Sequence, residues 1–260
     1  MNMQYKIIGD DVQAVVLDLQ PTQTVRAEAG NMLFMTDSID MSTQAGGGQG
    51  GGGLMGGLMS GLKRVVAGES FFTTVFTAAG QPGQVGFAAP YPGKILAMNL
   101  VESGPLLCQR DSYLCSDNNI DISVAFTRKL GAGFFGGEGF ILQKLSGNGI
   151  AFIHSGGGIL PFELEAGQNL RVDTGCLVAM TESVTYDIQM VKGVKNMLFG
   201  GEGLFYAKLT GPGKVWLQVL PFGRLADRIL SAATTGSNSE SSSGLAGMGG
   251  DLIGGILSGE

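Results

Sequence analysis

The sequence predicts an all-β chain of three tandem β-units set around a pseudo-threefold axis, followed by one short C-terminal helix. Three observations predict it. The first is internal repetition. Gly-Gly-Glu-Gly occurs in FFGGEGFILQKLSGNGIAFIHSGGG at 134–158 and again in LFGGEGLFYAKLTGPGKVWLQVLPFG at 198–223. Superposing Glu138 on Glu202 aligns Phe140 with Leu204, Lys144 with Lys208 and Leu145 with Leu209. It also aligns Gly147 and Gly149 with Gly211 and Gly213, and Phe152 with Trp216. A degenerate copy at 64–93 places Glu69 in the glutamate position, with Gly80 and Gly83 near the turn. The second observation is the run of short apolar or alternating segments separated by Gly, Asn, Asp and Pro, the pattern of a barrel, prism or sandwich. The third is composition: 45 glycines in 260 residues and only 15% charged side chains. A repeat of this period and small number closes on itself more readily than it stacks as a solenoid.

Taken in order, MQYKII and VQAVVLDLQ read as strand, turn and strand around Gly9-Asp10-Asp11. After Pro21, TQTVRAEAGNMLFMTDSIDMST gives further strands broken at Ala29-Gly30. Its second half resembles CQRDSYLCSDNNIDISV at 108–124 and RVDTGCLVAMTESVTYDIQMV at 171–191. Each has a polar turn, an apolar strand, an acidic or amide-bearing break and an alternating strand. The units therefore span about 20–100, 101–164 and 165–225. Within the second, Gly147-Asn148-Gly149 between alternating segments predicts a β-hairpin, because a tight turn there needs positive φ. Gly211-Pro212-Gly213 predicts the same in the third. FGRLADRILSAA places Leu225, Ile229 and Ala232 at helical spacing and predicts one closing helix that caps the core. The expected organisation is one β domain over 1–229, a Gly-rich insertion at 45–62 and a flexible Gly/Ser-rich tail over 230–260.

The formal charge of −6 and the absence of basic stripes argue against nucleic-acid binding, which relies on counterion release by Lys and Arg. Cys108, Cys115 and Cys176 form no Cys-x-x-Cys pair and sit in apolar contexts, so buried reduced thiols in an intracellular setting are expected. No secretory signal pattern opens the chain, and no apolar run reaches 18 residues. The expected localisation is cytoplasmic, with peripheral placement at the inner membrane as one option.

Motifs that could carry chemistry are weak. Gly48-Gly50-Gly53 and Gly51-Gly53-Gly56 fit Gly-x-Gly-x-x-Gly but lack the βαβ setting a dinucleotide needs. Asp117–Asp121 starts like a calcium loop, yet Ile122 stands where Gly is required and Arg128 where Glu is required. The single histidine, His154, cannot assemble a multi-histidine zinc site, and no Gly-x-Ser-x-Gly elbow accompanies it. It is expected at a strand end with a local hydrogen bond. No catalytic, cofactor or metal residues are predicted, and no enzyme activity. Glu69, Glu138 and Glu202 could converge on an axis and hold a cation. The alternative is that each accepts main-chain N–H bonds or pairs with Lys144 or Lys208. With Gly147, Gly149, Gly211 and Gly213 they are structural repeat positions.

The remaining candidate is the segment 53–64. As a helix it would align Gly53, Gly57 and Gly61, with Leu54, Met55, Leu58, Met59 and Leu62 around them and Lys63 and Arg64 at the end. The tail repeats the idea with Gly250, Leu252, Ile253, Gly254, Ile256 and Leu257. Such segments are too short to span a bilayer but suit a partner surface or a membrane interface; a linker is the alternative.

LFGGEGLFYAKLTGPGKVWLQVLPFGRLADRI at 198–229, with GESFF and GGEGFILQKLSGNGIAF before it, resembles the bacterial branch of the altered-inheritance-of-mitochondria family, a mitochondrial biogenesis group. The resemblance covers about 1–229. It implies double-stranded β-helix-like units similar to the tryptophan RNA-binding attenuation protein, tandem in one chain. It brings no catalytic set or cofactor, and likeness of fold transfers neither tryptophan nor RNA binding. Eukaryotic members are associated with the mitochondrial inner membrane. The expected function is a non-catalytic homo-oligomeric scaffold or interaction protein, with a protein partner or membrane surface as its target. The alternative is a small-ligand site between β-units.

Overall fold

The computed structural model describes residues 3–28, 30–45, 72–128, 140–190 and 205–235. The first stretch of chain gives β1 (Gln4–Ile8), β2 (Ala14–Leu19), β3 (Thr24–Glu28), β4 (Met32–Met35), β5 (Ile39–Ala45), β6 (Phe72–Ala78) and β7 (Gly83–Phe87). The next gives β8 (Gly93–Asn99), a single helical turn α1 (Leu100–Ser103), β9 (Leu106–Gln109), β10 (Tyr113–Asp117), β11 (Ile120–Arg128), β12 (Phe140–Gly147) and β13 (Ile150–Gly156). The last gives β14 (Ile159–Leu164), β15 (Asn169–Asp173), β16 (Leu177–Thr181), β17 (Thr185–Met190), β18 (Phe205–Thr210), β19 (Gly213–Gln218) and α2 (Phe222–Thr235). By contacts the chain divides into 1–222, which holds every described strand, and 223–260, whose described part is helical.

The strands form four antiparallel sheets, in the orders β1-β2-β7-β4, β5-β6-β3-β10-β13-β8, β11-β12-β9-β16-β19-β14 and β15-β18-β17. One connectivity is met three times. β7 lies between β2 and β4, β13 between β8 and β10, and β19 between β14 and β16. Likewise β6 lies between β3 and β5, β12 between β9 and β11, and β18 between β15 and β17. The middle strand of each trio has both edges occupied. In β12, FILQKLSG, the first four residues are buried.

Three apolar clusters hold the sheets together. Val15, Leu17, Leu19, Phe76, Phe87 and Phe152 form the first, drawn from the first two sheets. Leu106, Leu145, Ile153 and Val178 form the second, and Leu142, Leu177, Leu209 and Val215 the third. Each fully buried Leu or Phe contributes roughly 1.5–3 kcal/mol relative to exposure, so each cluster is a substantial core.

The hairpin predicted at Gly147-Asn148-Gly149 does not form. β12 and β13 belong to different sheets, and the same holds for β18 and β19 around Gly211-Pro212-Gly213. The physical reason is edge occupancy. β9 and β11 already satisfy both sides of β12, so the chain leaving Gly147 must cross to another sheet. The antiparallel neighbours in sequence are instead β1 with β2, β5 with β6, β11 with β12 and β17 with β18.

The thiols divide in a way the sequence did not anticipate. Cys108 and Cys115 are buried in β9 and β10, whereas Cys176 is only partly covered, in a 3-10 turn before β16.

Candidate functional site

The four residues of β4, Met-Leu-Phe-Met, are all apolar and all exposed: Met32 37%, Leu33 57%, Phe34 42% and Met35 37%. A continuous apolar run normally marks a strand covered on both faces. The residues at the matching places of the other two trios are covered. Tyr113, Leu114, Cys115 and Ser116 of β10 are buried, as are Leu177, Val178, Ala179 and Met180 of β16.

The matching follows from register. β4 pairs with β7 through Met32↔Phe87, Phe34↔Gly86 and Met35↔Val85, with an irregularity at Leu33. β10 pairs with β13 through Tyr113↔Ile153, Cys115↔Phe152 and Ser116↔Ala151, with the irregularity at Leu114. β16 pairs with β19 through Leu177↔Leu217, Ala179↔Trp216 and Met180↔Val215, with the irregularity at Val178. Three strands carry a bulge at the same point, which twists each of them in the same way.

What differs is the second edge. β10 is also paired with β3, and β16 with β9. Among the described residues β4 pairs only with β7, and β15 only with β18. Both are sheet edges with main-chain groups turned outward, and β4 carries no Lys or Pro to blunt that edge.

The local scaffold of β4 is fixed from beneath. The Phe34 ring lies over Gly86, where an added Cβ would come within 2.4 Å of it. At the end of the strand Thr36 Oγ1 accepts a hydrogen bond from the Gln84 amide at 3.0 Å and contacts Ser38 Oγ at 3.1 Å. Ser38 Oγ in turn lies 2.9 Å from the Pro82 carbonyl, to which it donates. These bonds anchor the end of the apolar strand.

His154 is the other place of interest. It lies within β13 rather than at its end, almost wholly buried, with the Tyr91 ring edge-on at 4.7 Å. Burial lowers its pKa to about 4, against a smaller opposing effect of hydrogen bonding with the Tyr91 main chain. Its Nδ1 has no partner among the described residues. A neutral imidazole without a carboxylate partner on Nδ1 lacks the orienting group of a catalytic triad. Burial also pushes the Tyr91 hydroxyl upward, reinforced by Asp111, Glu28 and Cys108.

Of the positions singled out in the sequence, Glu69, Glu138 and Glu202 lie outside the described residues. So do Leu54, Met55, Leu58, Met59, Leu62, Lys63 and Arg64 and the tail beyond 235. Lys144 bonds Glu182 at 2.5 Å across the sheet, at a half-exposed site where an ion pair contributes little. Asp117 accepts a hydrogen bond from the Ile150 amide, which makes it a turn cap. No group of three or more metal-ligating side chains occurs among the described residues. Gly149 and Gly213 occupy matching turns, each facing the side chain that caps it, Asp117 and Thr181. The β4 surface was missed because its sequence reads as core. Setting Met32–Met35 beside Tyr113–Ser116 and Leu177–Met180 was the signal that could have found it.

Residues 5–220 match the family described as mitochondrial biogenesis AIM24. The chain belongs to this family. An uncharacterized protein of Streptococcus pyogenes serotype M6 is 27% identical over 225 residues, covering 86% of this chain and 88% of that one. The crystal structure of a Streptococcus pyogenes protein superposes with a TM-score of 0.70 at 23% identity, over 89% of this chain and all of that one. At that identity the likeness shows the fold of this AIM24 family member and nothing of its activity. No helix among the described residues is long and apolar enough to cross a membrane.

Proposed function

We propose that this AIM24 family member is a non-catalytic, homo-oligomeric scaffold or interaction protein. The single observation that carries this reading is β4: four exposed apolar residues on a strand whose counterparts in β10 and β16 are buried. An exposed apolar edge of that kind marks an association surface. The threefold recurrence of one strand connectivity supports an architecture of three tandem double-stranded β-helix-like units. Its partners are further copies of itself and a protein or the inner face of a membrane, the latter engaged through the Leu-Met segment at 53–64. No nucleic acid is among its partners. Light scattering of the purified full chain, with and without anionic liposomes, tests this. A defined multi-chain mass supports the reading, and flotation with liposomes supports its membrane arm. A single-chain mass that ignores lipid overturns it.

A small-ligand site between β-units is the second reading, and His154 Nδ1 is the observation that favours it. This buried acceptor or donor has no described partner, near where Gly156 and Gly157 approach Leu220. A thermal-shift screen with amino acids, nucleotides and divalent metals tests it; no shift with any of them removes it.

A further inference from the structure

Two joints inside the chain are built alike. At the first, β3 pairs antiparallel with β10 through Val25↔Asp117, Arg26↔Ser116 and Ala27↔Cys115. At the second, β9 pairs antiparallel with β16 through Leu106↔Thr181, Leu107↔Met180 and Cys108↔Ala179. The strands that meet hold matching places in successive trios. Asp117 and Thr181 each accept the amide at the start of the strand paired with their own, β13 and β19, in the way Thr36 does with β7. Val25 and Leu106 lie opposite Phe76 and Leu145, as Leu170 lies opposite Leu209.

Carrying the same rule one step further names a third joint, Leu170↔Thr36, Arg171↔Met35 and Val172↔Phe34. Within one chain that joint is not made: β15 and β4 are the ends of two separate sheets. The consequence shows in exposure. The side chains that β3 and β9 help to bury on β10 and β16 are left open on β4. The sheets are also unequal in the way this predicts, with six strands where a joint is made and three and four where it is not.

We propose that β4 of one copy pairs antiparallel with β15 of a second copy of this chain, Met35 opposite Arg171 and Phe34 opposite Val172. The pairing joins the four- and three-stranded sheets into one of order β1-β2-β7-β4-β15-β18-β17. It is a head-to-tail contact, so the chains form a closed ring when the rotation between copies allows it. Main-chain hydrogen bonds supply pairing, and burial of Met32, Leu33, Phe34 and Met35 supplies the apolar contribution. This rests on the homo-oligomer reading above and names the surfaces that make it.

The test uses two full-length proteins in a Cys176→Ser background, one carrying Met35→Cys and the other Arg171→Cys. Both substituted positions are exposed in the single chain, so neither substitution disturbs the core. Mixed and oxidised with diamide, they are expected to give a disulfide-linked pair containing one chain of each kind, while neither alone does so above a few per cent. Light scattering of Phe34→Lys, checked for folding by circular dichroism, is expected to show the mass fall to that of one chain. A multi-chain mass with no mixed disulfide, or one that survives Phe34→Lys, overturns this joint while leaving the homo-oligomer reading standing. A single-chain mass for the unaltered protein overturns both. In a third protein carrying both Met35→Cys and Arg171→Cys, a disulfide formed only within one chain also overturns the proposal, because the two edges then close on each other.

Discussion

Asp117 Oδ2 accepts a hydrogen bond from the Ile150 amide at 2.6 Å, and two threonines do the same work elsewhere. Thr36 Oγ1 takes the Gln84 amide at 3.0 Å, and Thr181 Oγ1 takes the Lys214 amide at 3.0 Å. The three bonds tie the end of one strand to the start of its neighbour in the same sheet. Partial burial raises the Asp117 pKa, only partly offset by the Ile150 hydrogen bond, so a neutral acceptor serves this place as well. Asp117→Thr is therefore expected to leave the melting temperature within about 2 °C of the parent. Asp117→Ala strands the Ile150 amide and costs about 1–3 kcal/mol, a fall of several degrees for a chain of this size. Differential scanning calorimetry of both variants checks this, and equal losses would show that a threonine hydroxyl does not replace the carboxylate.

Gly213 sits against the same kind of cap. Its φ is +145°, and an added Cβ would lie 2.3 Å from Thr181 Oγ1 and 2.6 Å from Ser183 Oγ. Gly167 also has positive φ, +78°, but an added Cβ there meets nothing within 4 Å. Backbone strain alone costs on the order of 1–3 kcal/mol, and only Gly213 adds a clash to it. Urea denaturation is expected to place Gly213→Ala at least about 1 kcal/mol below Gly167→Ala in stability. If the two variants lose equally, strain and not the clash decides.

These capped turns show what local sequence could and could not reveal. The turn at Gly9-Asp10-Asp11, the strands on either side of it and the helix after Pro221 follow from turn residues and spacing, and all are present. The turn at Gly147-Asn148-Gly149 was equally visible, yet its strands part into different sheets. Whether two strands pair depends on which neighbours already occupy their edges, and β9 reaches β12 from more than 30 positions upstream. The same long-range information hid β4. Met-Leu-Phe-Met has the composition of a covered strand, and only the pairing pattern shows it to be a sheet edge among the described residues. Lys144 likewise finds Glu182, which no local pattern predicts.

The thiols give a simple chemical check on the core. Burial raises the pKa of both Cys108 and Cys115, with further repulsion from Glu28 and Asp111 on the first and from Asp117 on the second. Since the thiolate is the reactive species, neither is expected to react with a disulfide reagent while the fold is intact. Cys176 is partly exposed. Titration of the native protein with Ellman's reagent is expected to count one fast thiol, rising to three in denaturant. Peptide mass analysis should place the fast one at Cys176; rapid labelling of Cys115 would mean that β10 opens readily.

His154 makes stability depend on pH in a direction that can be worked out. In the folded chain burial holds its pKa at about 4, below the ordinary value of 6.5. As pH falls from 6.5 towards 4, the unfolded chain takes up a proton that the folded chain refuses, so the unfolded state gains. The contribution of the neutral, buried ring is complete above pH 6.5, declines through the window and is gone below about 4. A shift of this size corresponds to a loss of up to roughly 3 kcal/mol. His154 is the chain's single histidine, and ordinary carboxylates titrate mostly below pH 5; Asp117, whose pKa burial raises, is common to both proteins compared below and cancels between them. Urea midpoints measured at pH 7, 6 and 5 are expected to fall for the parent and to stay nearly level for His154→Gln. Below pH 5, where carboxylates also protonate, the difference between the two proteins isolates the histidine. Parallel curves for the two proteins across the whole range would show that the imidazole is not held neutral by burial.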